Sequence, residues 1–110
     1  MRGNTPSTLD WKLELNMLQE ELDELKLAVE QGDEAGIFDA LLDLDFVSIG
    51  TKYKFGLSAE QMVDGYEAVI LANEMKGNQK NSEGKIIKPD GWSQYKPEPK
   101  LQLILSERKK

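Results

Sequence analysis

The sequence contains neither cysteine nor histidine among its 110 residues. Without cysteine, the chain has no disulfide framework, no thiol nucleophile and no thiolate metal site. Without histidine, it has no imidazole base, no serine–histidine–aspartate triad and no histidine-ligated zinc. Any catalysis by this chain must therefore rest on carboxylates, lysines, hydroxyls or a hard metal ion.

Arginine and long apolar runs are scarce as well. The only arginines, Arg2 and Arg108, stand near the ends, so we expect no bidentate arginine clamp in the core. No apolar run approaches the roughly 20 residues that a membrane helix needs. Residues 1–8 lack the apolar stretch of a signal peptide. We therefore expect a cytoplasmic protein with no membrane partner.

Charge is divided unevenly along the chain. Residues 1–74 hold 16 acidic and 5 basic side chains, whereas residues 75–110 hold 4 acidic and 9 basic ones, and the net charge is -6. The acidic body argues against a nucleic-acid partner, because duplex DNA is bound by a basic face. The basic end is the part of the chain that we expect to face a phosphate group.

Start and stop residues predict three long helices and a short fourth one. Gly32 ends the first helix, Ser58 and Gln61 form a capping-box pattern at the start of the third, and Pro97 and Pro99 precede the last. The expected helices run from Thr8 or Asp10 to Gln31, from about Asp33 to Phe55, from Ser58 to Met75, and over Leu101 to Arg108. Residues 85–88 are expected to form a short extended piece.

The short connections between the first three helices predict an all-α antiparallel helical bundle. We expect a single domain over residues 1–110, in which residues 77–110 form a loop-rich basic tail. Apolar residues point in almost every direction from the second helix, which predicts that it is buried. Because so short a bundle leaves apolar faces uncovered, we expect a homodimer or a homotetramer.

Acidic side chains interrupt the apolar face of the first helix. Glu21 and Glu24 project within its apolar sector, as does Glu14, and Glu20 lies at the edge of that sector. Carboxylates buried there without partners would cost several kcal/mol. A bound cation is one way to offset that cost. The apolar stripe consists of Trp11, Leu15, Leu18, Leu22, Leu25 and Val29.

The second helix repeats this anomaly with Asp39 and Asp43, which lie four residues apart on one face among apolar neighbours. If the two helices pack antiparallel, these aspartates face Glu21 and Glu24. Four carboxylates without histidine or cysteine would form an oxygen-only site for a hard divalent cation, magnesium or manganese. The alternative is that the acids pair with lysines or form a solvated edge of the bundle.

The acidic pattern resembles that of a known enzyme superfamily. Residues 20–24 read E-E-x-x-E, and residues 39–43 read DALLD on the next helix. Together with DALLDLDFVSIGTKYKFGL, ANEMKGNQK and GKIIKPDGW, they resemble the all-α nucleoside triphosphate pyrophosphohydrolases, meaning the MazG-like enzymes and their phosphoribosyl-ATP pyrophosphohydrolase-like relatives. The resemblance covers about residues 15–101, and it is also the reason to expect a phage origin, with the host cytoplasm as location.

The resemblance implies a magnesium-dependent hydrolase that cleaves a nucleoside triphosphate between its α- and β-phosphates. It implies Glu21, Glu24 and Asp43 as metal ligands. The family's second-helix pattern is E-x-x-D, but Ala40 stands at the position of its glutamate. Either Asp39 supplies the fourth ligand or the metal is held by fewer protein oxygens.

The resemblance also suggests how water is activated. Since no histidine is present to act as a base, we expect the nucleophile to be water activated by the metal. Glu20 or Glu21 would orient this water and accept its proton. In the resembling enzymes the nucleotide pocket lies near the subunit interface.

Nucleotide-binding residues are expected in the third helix and the tail. By resemblance, Asn73 and Lys76 contact the nucleotide. As point charges, the lysines of this region could carry phosphate recognition, namely Lys76, Lys80, Lys85 and Lys88. Asn73 is expected to point inward. The alternatives are an asparagine satisfied by a backbone carbonyl and ordinary solvated lysines.

The aromatic residues Trp92 and Tyr95 could stack on a base, but we favour a role in pinning the tail to the body. Two other functions stay open at this level. One is a non-enzymatic helical interaction module whose acidic groove takes a basic partner. The other is a family member that binds nucleotide without turning it over, which the alanine at position 40 makes conceivable.

Overall fold

The computed structural model describes residues 9–108. These residues form four α-helices and one short 3-10 helix, and no strand occurs among them, so the all-α prediction is confirmed. The elements are α1 (Trp11–Gln31), α2 (Glu34–Lys54), α3 (Ala59–Glu74), the 3-10 helix (Trp92–Tyr95) and α4 (Glu98–Ser106). The alternative N-cap at Thr8 lies outside the described residues.

Two caps build the tight turn between α1 and α2. Gly32 takes the left-handed conformation, with φ of 66°, which a residue with a side chain rarely adopts. Asp33 follows directly and caps α2, since its carboxylate accepts a hydrogen bond from the Gly36 backbone N–H at 3.0 Å. At the other end of α1, Asp10 accepts from the Leu13 N–H at 3.1 Å. Local capping chemistry therefore sets these helix bounds.

Helices α1 and α2 form an antiparallel hairpin, in the first of two compact units, which ends at Gly56. Glu14 bonds Thr51 near its open end, and the rings of Trp11 and Phe55 meet edge to face there with centroids 5.9 Å apart. Ala28 is 7% exposed and Ala40 only 3%. Small buried side chains at the seam allow the helix backbones to approach closely.

The prediction that α2 is buried is wrong for the single chain. Ala40 is the only buried residue of α2, whereas Phe38 is 65% and Phe46 is 77% exposed. The physical reason is that α2 packs on α1 through one narrow seam, so its other apolar faces lie open. An apolar residue on every side marks a helix that needs more than one neighbour.

The second compact unit comprises residues Leu57–Arg108. The predicted capping box at the start of α3 is confirmed, since Ser58 and Gln61 exchange hydrogen bonds of 2.9 and 3.1 Å. Helix α4 packs against α3 where Gly65 leaves room: a Cβ there would lie 3.3 Å from Leu101. Trp92 of the 3-10 helix is buried, as are Ala72 and Ile104, while residues 77–91, which precede the 3-10 helix, are exposed.

The predicted extended piece at residues 85–88 contains one antiparallel bridge, between Lys80 and Ile86. The side chain of Asn81 organises this loop by accepting bonds from two backbone N–H groups, at 2.9 and 3.0 Å. Among the described residues, no helix has the length and apolar character required to traverse a lipid bilayer.

Candidate functional site

The α1–α2 hairpin brings three of the predicted carboxylates together. Oxygen atoms of Glu21, Glu24 and Asp43 all lie within 4.8 Å of one another. Glu21 and Glu24 are three residues apart and so project from the same side of α1. The antiparallel arrangement sets Asp43 of α2 opposite them. We call these three residues the carboxylate cluster.

The other acidic residues predicted for the site lie around this cluster. Asp39 is exposed one turn before Asp43 and is not one of the three clustered groups. Glu20 is exposed, and its charge acts on the neighbouring Glu21. Ala40 is buried at the helix seam, where it contributes a methyl group and no ligand. The roles of Asp39 and Glu20 stay predictions.

Glu21 is the electrostatically unfavourable member of the cluster. Its Oε1 atom is buried and has no hydrogen-bond partner within residues 9–108. Burial raises the pKa of Glu21 above its usual value, and the negative charges of Glu24, Asp43 and Glu20 raise it further. The folded chain therefore holds a carboxylate that lacks a compensating charge. Such a group favours either a proton or a cation beside it.

The donor set fits a hard divalent cation. Mg²⁺ binds oxygen ligands at about 2.0–2.1 Å, so ligands on opposite sides of the ion are roughly 4 Å apart. The three oxygens lie within 4.8 Å of one another, so the side chains would have to move closer together to share one ion. All three groups offer carboxylate oxygen, which suits magnesium or manganese. The unpartnered oxygen of Glu21 points to the same need.

Glu14 shows how the same hairpin treats a buried acid that does have a cation. Glu14 is 2% exposed, and its carboxylate accepts bonds from Lys54 Nζ at 2.8 Å and Thr51 Oγ1 at 2.7 Å. These two bonds hold the pKa of Glu14 below its usual value despite burial. The helix pattern places Glu14 in the apolar sector of α1 but does not predict its partner. The antiparallel packing of α1 and α2, which sets Lys54 opposite Glu14, is the signal from which this ion pair could have been predicted.

A second group of predicted residues meets at the end of α3. Lys76 Nζ lies 3.0 Å from Asn73 Oδ1 and 5.4 Å from the ring centroid of Trp92. Lys88 Nζ lies 4.6 Å from that same centroid. Lys80 is exposed and forms the loop bridge with Ile86. Two of the four predicted substrate-binding residues, Lys76 and Lys88, thus lie over one indole, and Asn73 bonds the first of them.

The prediction that Asn73 points inward is wrong. Asn73 is exposed, and its amide donates to the Val69 carbonyl of its own helix at 2.8 Å. The side chain projects beyond the edge of the face that α3 buries, so a local backbone oxygen satisfies it. The Oδ1 atom of Asn73 accepts a hydrogen bond from Lys76 Nζ, and this bond orients the lysine.

The predicted pinning role of Trp92 is confirmed. The indole is 7% exposed, and its Nε1–H donates to the Ala72 carbonyl at 2.7 Å, which fixes the tail to α3. Tyr95 is half-buried and lines an open cavity of about 390 Å³ between α3 and the start of α4. The 3-10 helix that carries both aromatic residues was not predicted, because its one buried anchor depends on a contact 20 residues away.

Comparison with known protein families identifies a match that covers the candidate site. A family model described as phosphoribosyl-ATP pyrophosphohydrolase matches residues 4–68, more than half of the chain. No curated protein and no solved structure matches it significantly. The matched segment includes α1 and α2 and therefore the whole carboxylate cluster. The lysines and Trp92 of the second unit lie beyond the matched residues.

Proposed function

Because the chain belongs to the phosphoribosyl-ATP pyrophosphohydrolase family of the MazG-like all-α superfamily, and so to hydrolases acting on acid anhydrides, we propose that it is a magnesium-dependent nucleoside triphosphate pyrophosphohydrolase. It cleaves between the α- and β-phosphates and releases a nucleoside monophosphate and pyrophosphate. The observation that carries the proposal is the carboxylate cluster with its unpartnered Glu21 oxygen, located inside the family-matched segment.

Glu21, Glu24 and Asp43 would hold the metal, with Asp39 as a further ligand if its side chain turns toward the cluster. A bound magnesium or manganese ion would neutralise phosphate charge and lower the pKa of water. The raised pKa of Glu21 supports this assignment, because a cation beside that carboxylate would favour its ionised form and offset the effects of burial and of the neighbouring negative charges.

The chain's own acids would direct the water. Glu20 is exposed beside the cluster, and Glu20 or Glu21 orients a water molecule and accepts its proton as the oxygen attacks phosphorus. If water attacks the α-phosphorus, the bond from that phosphorus to the oxygen bridging the α- and β-phosphates breaks. If water attacks the β-phosphorus, the bond from the β-phosphorus to the same oxygen breaks. Both displacements give a nucleoside monophosphate and pyrophosphate. No histidine competes for the role of base.

Asn73, Lys76, Lys80 and Lys88 would bind the nucleotide and its phosphates. Lys76 and Lys88 support this assignment because neither pairs with a carboxylate among the described residues. Lysine serves as a point charge for phosphate. The family's printed name adds phosphoribosyl-ATP to the nucleoside triphosphates as a substrate to be tried.

A homodimer or homotetramer is the assembly that we propose. The chain leaves many large apolar side chains exposed on α1 and α2, far more than a monomeric protein usually presents in one region. A second copy of the chain would cover these side chains. We also propose that residues 1–110 form a single helical domain. The exposed set on α2 includes Phe38, Leu41, Leu42, Phe46, Ile49 and Tyr53.

Nucleotide binding without turnover is the second candidate, and Ala40 is the residue that favours it. A methyl group stands where the resembling enzymes carry a ligating glutamate, so the metal would have one carboxylate fewer. An interaction module with an acidic groove has no such specific support.

One experiment separates these functions. The protein is incubated with magnesium and a panel of canonical and modified nucleoside triphosphates together with phosphoribosyl-ATP, and both pyrophosphate and the melting temperature are measured. Pyrophosphate release supports the hydrolase. Magnesium-dependent stabilisation by a nucleotide without release selects the binding protein, and neither effect would contradict both.

A further inference from the structure

Trp92 is a buried aromatic residue that follows a wholly exposed segment of the chain. Residues 77–91 are all exposed, yet the indole that follows them is 7% exposed. Its Nε1–H bonds the Ala72 carbonyl in the last turn of α3, where helix carbonyls lack intrahelical partners. One hydrogen bond therefore fixes the ring beside the end of α3.

The fixed ring collects two positive charges. Lys76 reaches it from the end of α3 and Lys88 from the exposed segment, so both ammonium nitrogens lie within 5.4 Å of one centroid. Each contact is a cation–π interaction, which tryptophan makes best. No ion pair joins either lysine to an acid in the part of the chain that the structure describes. Both positive charges lie beside the same ring, and an anion near the two lysines would offset their mutual repulsion.

We propose that Trp92 is a positioning residue for the phosphate groups of the substrate: its ring gathers Lys76 and Lys88 into one polyphosphate-binding cluster. The inference rests on the proposed function for the identity of that anion. It adds a residue outside the predicted lysines and asparagine, and it assigns to the indole face a role distinct from the pin made by its N–H group.

The donors around the ring suit an anion with several oxygens. An ammonium group has three N–H donors, and one donor of Lys76 bonds Asn73. Among the described residues, the other donors of Lys76 and Lys88 make no hydrogen bond to the protein and can bind an anion. Lysine side chains are flexible, and the ring and Asn73 restrict them before the ligand arrives. Such preorganisation reduces the entropy lost on binding.

Two variants separate the ring face from the N–H anchor. Trp92→Phe keeps an aromatic face and removes the hydrogen bond to Ala72, whereas Trp92→Leu removes both. We expect both variants to melt at a lower temperature than the wild type. We expect KM for the nucleotide to rise about three- to tenfold in Trp92→Leu, with kcat little changed and KM in Trp92→Phe close to that of the wild type. Equal KM values in both variants would overturn the proposal, because a merely structural anchor predicts that result.

Inorganic pyrophosphate tests the cluster without metal or turnover. In the full-length Trp11→Phe protein, Trp92 is the remaining tryptophan, so its fluorescence reports on the ring. We expect saturable titration by pyrophosphate, weakened at least tenfold in the pair Lys76→Gln/Lys88→Gln. The matched pair Lys96→Gln/Lys100→Gln removes the same charge from exposed positions of the same unit and should bind as before.

The outcomes keep this inference separate from the proposed function. Glu24→Gln should abolish turnover and leave the metal-free titration intact. If no nucleotide is hydrolysed but pyrophosphate still binds through the two lysines, the proposed function fails and the anion cluster stands. If turnover occurs but both lysine pairs weaken the titration equally, the inference fails and the proposed function stands.

Discussion

Two glutamates on one helix show how a partner decides the state of a buried acid. Glu14 and Glu21 both project into the hairpin from α1, two turns apart. Glu14 meets Lys54 and Thr51, and its pKa is lowered; Glu21 meets Glu24 and Asp43, and its pKa is raised. The first is a finished structural contact. The second is a carboxylate that favours a proton or, as we propose, a bound cation.

Glu21→Gln should stabilise the metal-free protein at neutral pH by a few degrees of melting temperature. A raised pKa means that the folded state holds the proton more tightly, so the contribution of Glu21 to stability is lost as the pH rises above 4.5 through its folded pKa. Because the glutamine side chain is neutral at every pH, the variant does not lose this stability. Its higher melting temperature relative to the wild type should disappear below about pH 4.5, where Glu21 is itself protonated. Thermal melts against pH measure it, with the exposed Glu30→Gln as control. A lower melting temperature at neutral pH would contradict the account.

Glu14→Gln should act in the opposite direction. A lowered pKa contributes stability that is present above 4.5 and lost as the pH falls through the folded pKa. The variant leaves Lys54 facing a neutral group, so the melting temperature at pH 7 should fall by about 5 °C or more. The difference in melting temperature between the variant and the wild type should shrink as the pH is lowered, because Glu14 then becomes protonated and is neutral like the glutamine. A constant difference at all pH values would show that packing and not the ion pair is responsible.

At the level of the elements, local chemistry was predictable and distant contacts were not. The caps Asp10, Gly32 and Ser58 set helix ends through neighbours three or four residues away, so the sequence was sufficient to find them. The antiparallel packing of α1 on α2, and with it the grouping of Glu21 with Asp43, followed from a short turn and apolar spacing. The 3-10 helix and the exposure of Asn73 could not be foreseen, because they depend on which face of α3 the tail covers.

Ala40→Glu tests the α1–α2 seam as a metal site. Position 40 is 3% exposed on the turn before Asp43, so a new carboxylate should lower the melting temperature of the metal-free protein by roughly 5 °C or more. Magnesium should restore much of this loss, and half-maximal stabilisation should occur at a lower magnesium concentration than in the wild type.

Ala35→Glu provides the matched control, because it adds the same charge at an exposed position of α2. We expect it to change neither the melting temperature nor the magnesium dependence by much. If Ala40→Glu is destabilised equally with and without magnesium, the seam beside Asp43 is not a metal site.

At the scale of the whole molecule, the uneven charge now has a structural basis. The acidic part of the chain includes the carboxylate cluster of the first unit, and the basic end supplies the lysines around Trp92 in the second. Net charge and composition do not reveal either grouping, since both arise from helix packing. What composition did indicate is that catalysis by a chain without histidine and cysteine is limited to carboxylates, lysines, hydroxyls or a hard metal ion.

The exposed apolar faces of α2 should be covered by a second copy of the chain. Phe46 is 77% exposed, so Phe46→Ser should shift the sedimentation coefficient toward that of a monomer if this face is an interface. The neighbouring exposed Asp45→Ser should leave the assembly unchanged. A wild-type protein that sediments as a fully active monomer would rule out the oligomer.

Pyrophosphate formation in matched variants tests the central proposal most directly. With magnesium and a hydrolysable nucleotide, ³¹P NMR should detect a monophosphate and pyrophosphate in equal amounts from the wild-type protein. Asp43→Asn should lower the rate on the order of 100-fold or more, since removing even a supporting partner of a metal ligand costs 10- to 100-fold. Asp45→Asn, two residues along α2 and exposed, should retain the wild-type rate. Release of orthophosphate in place of pyrophosphate, or equal rates in the two variants, would contradict the account.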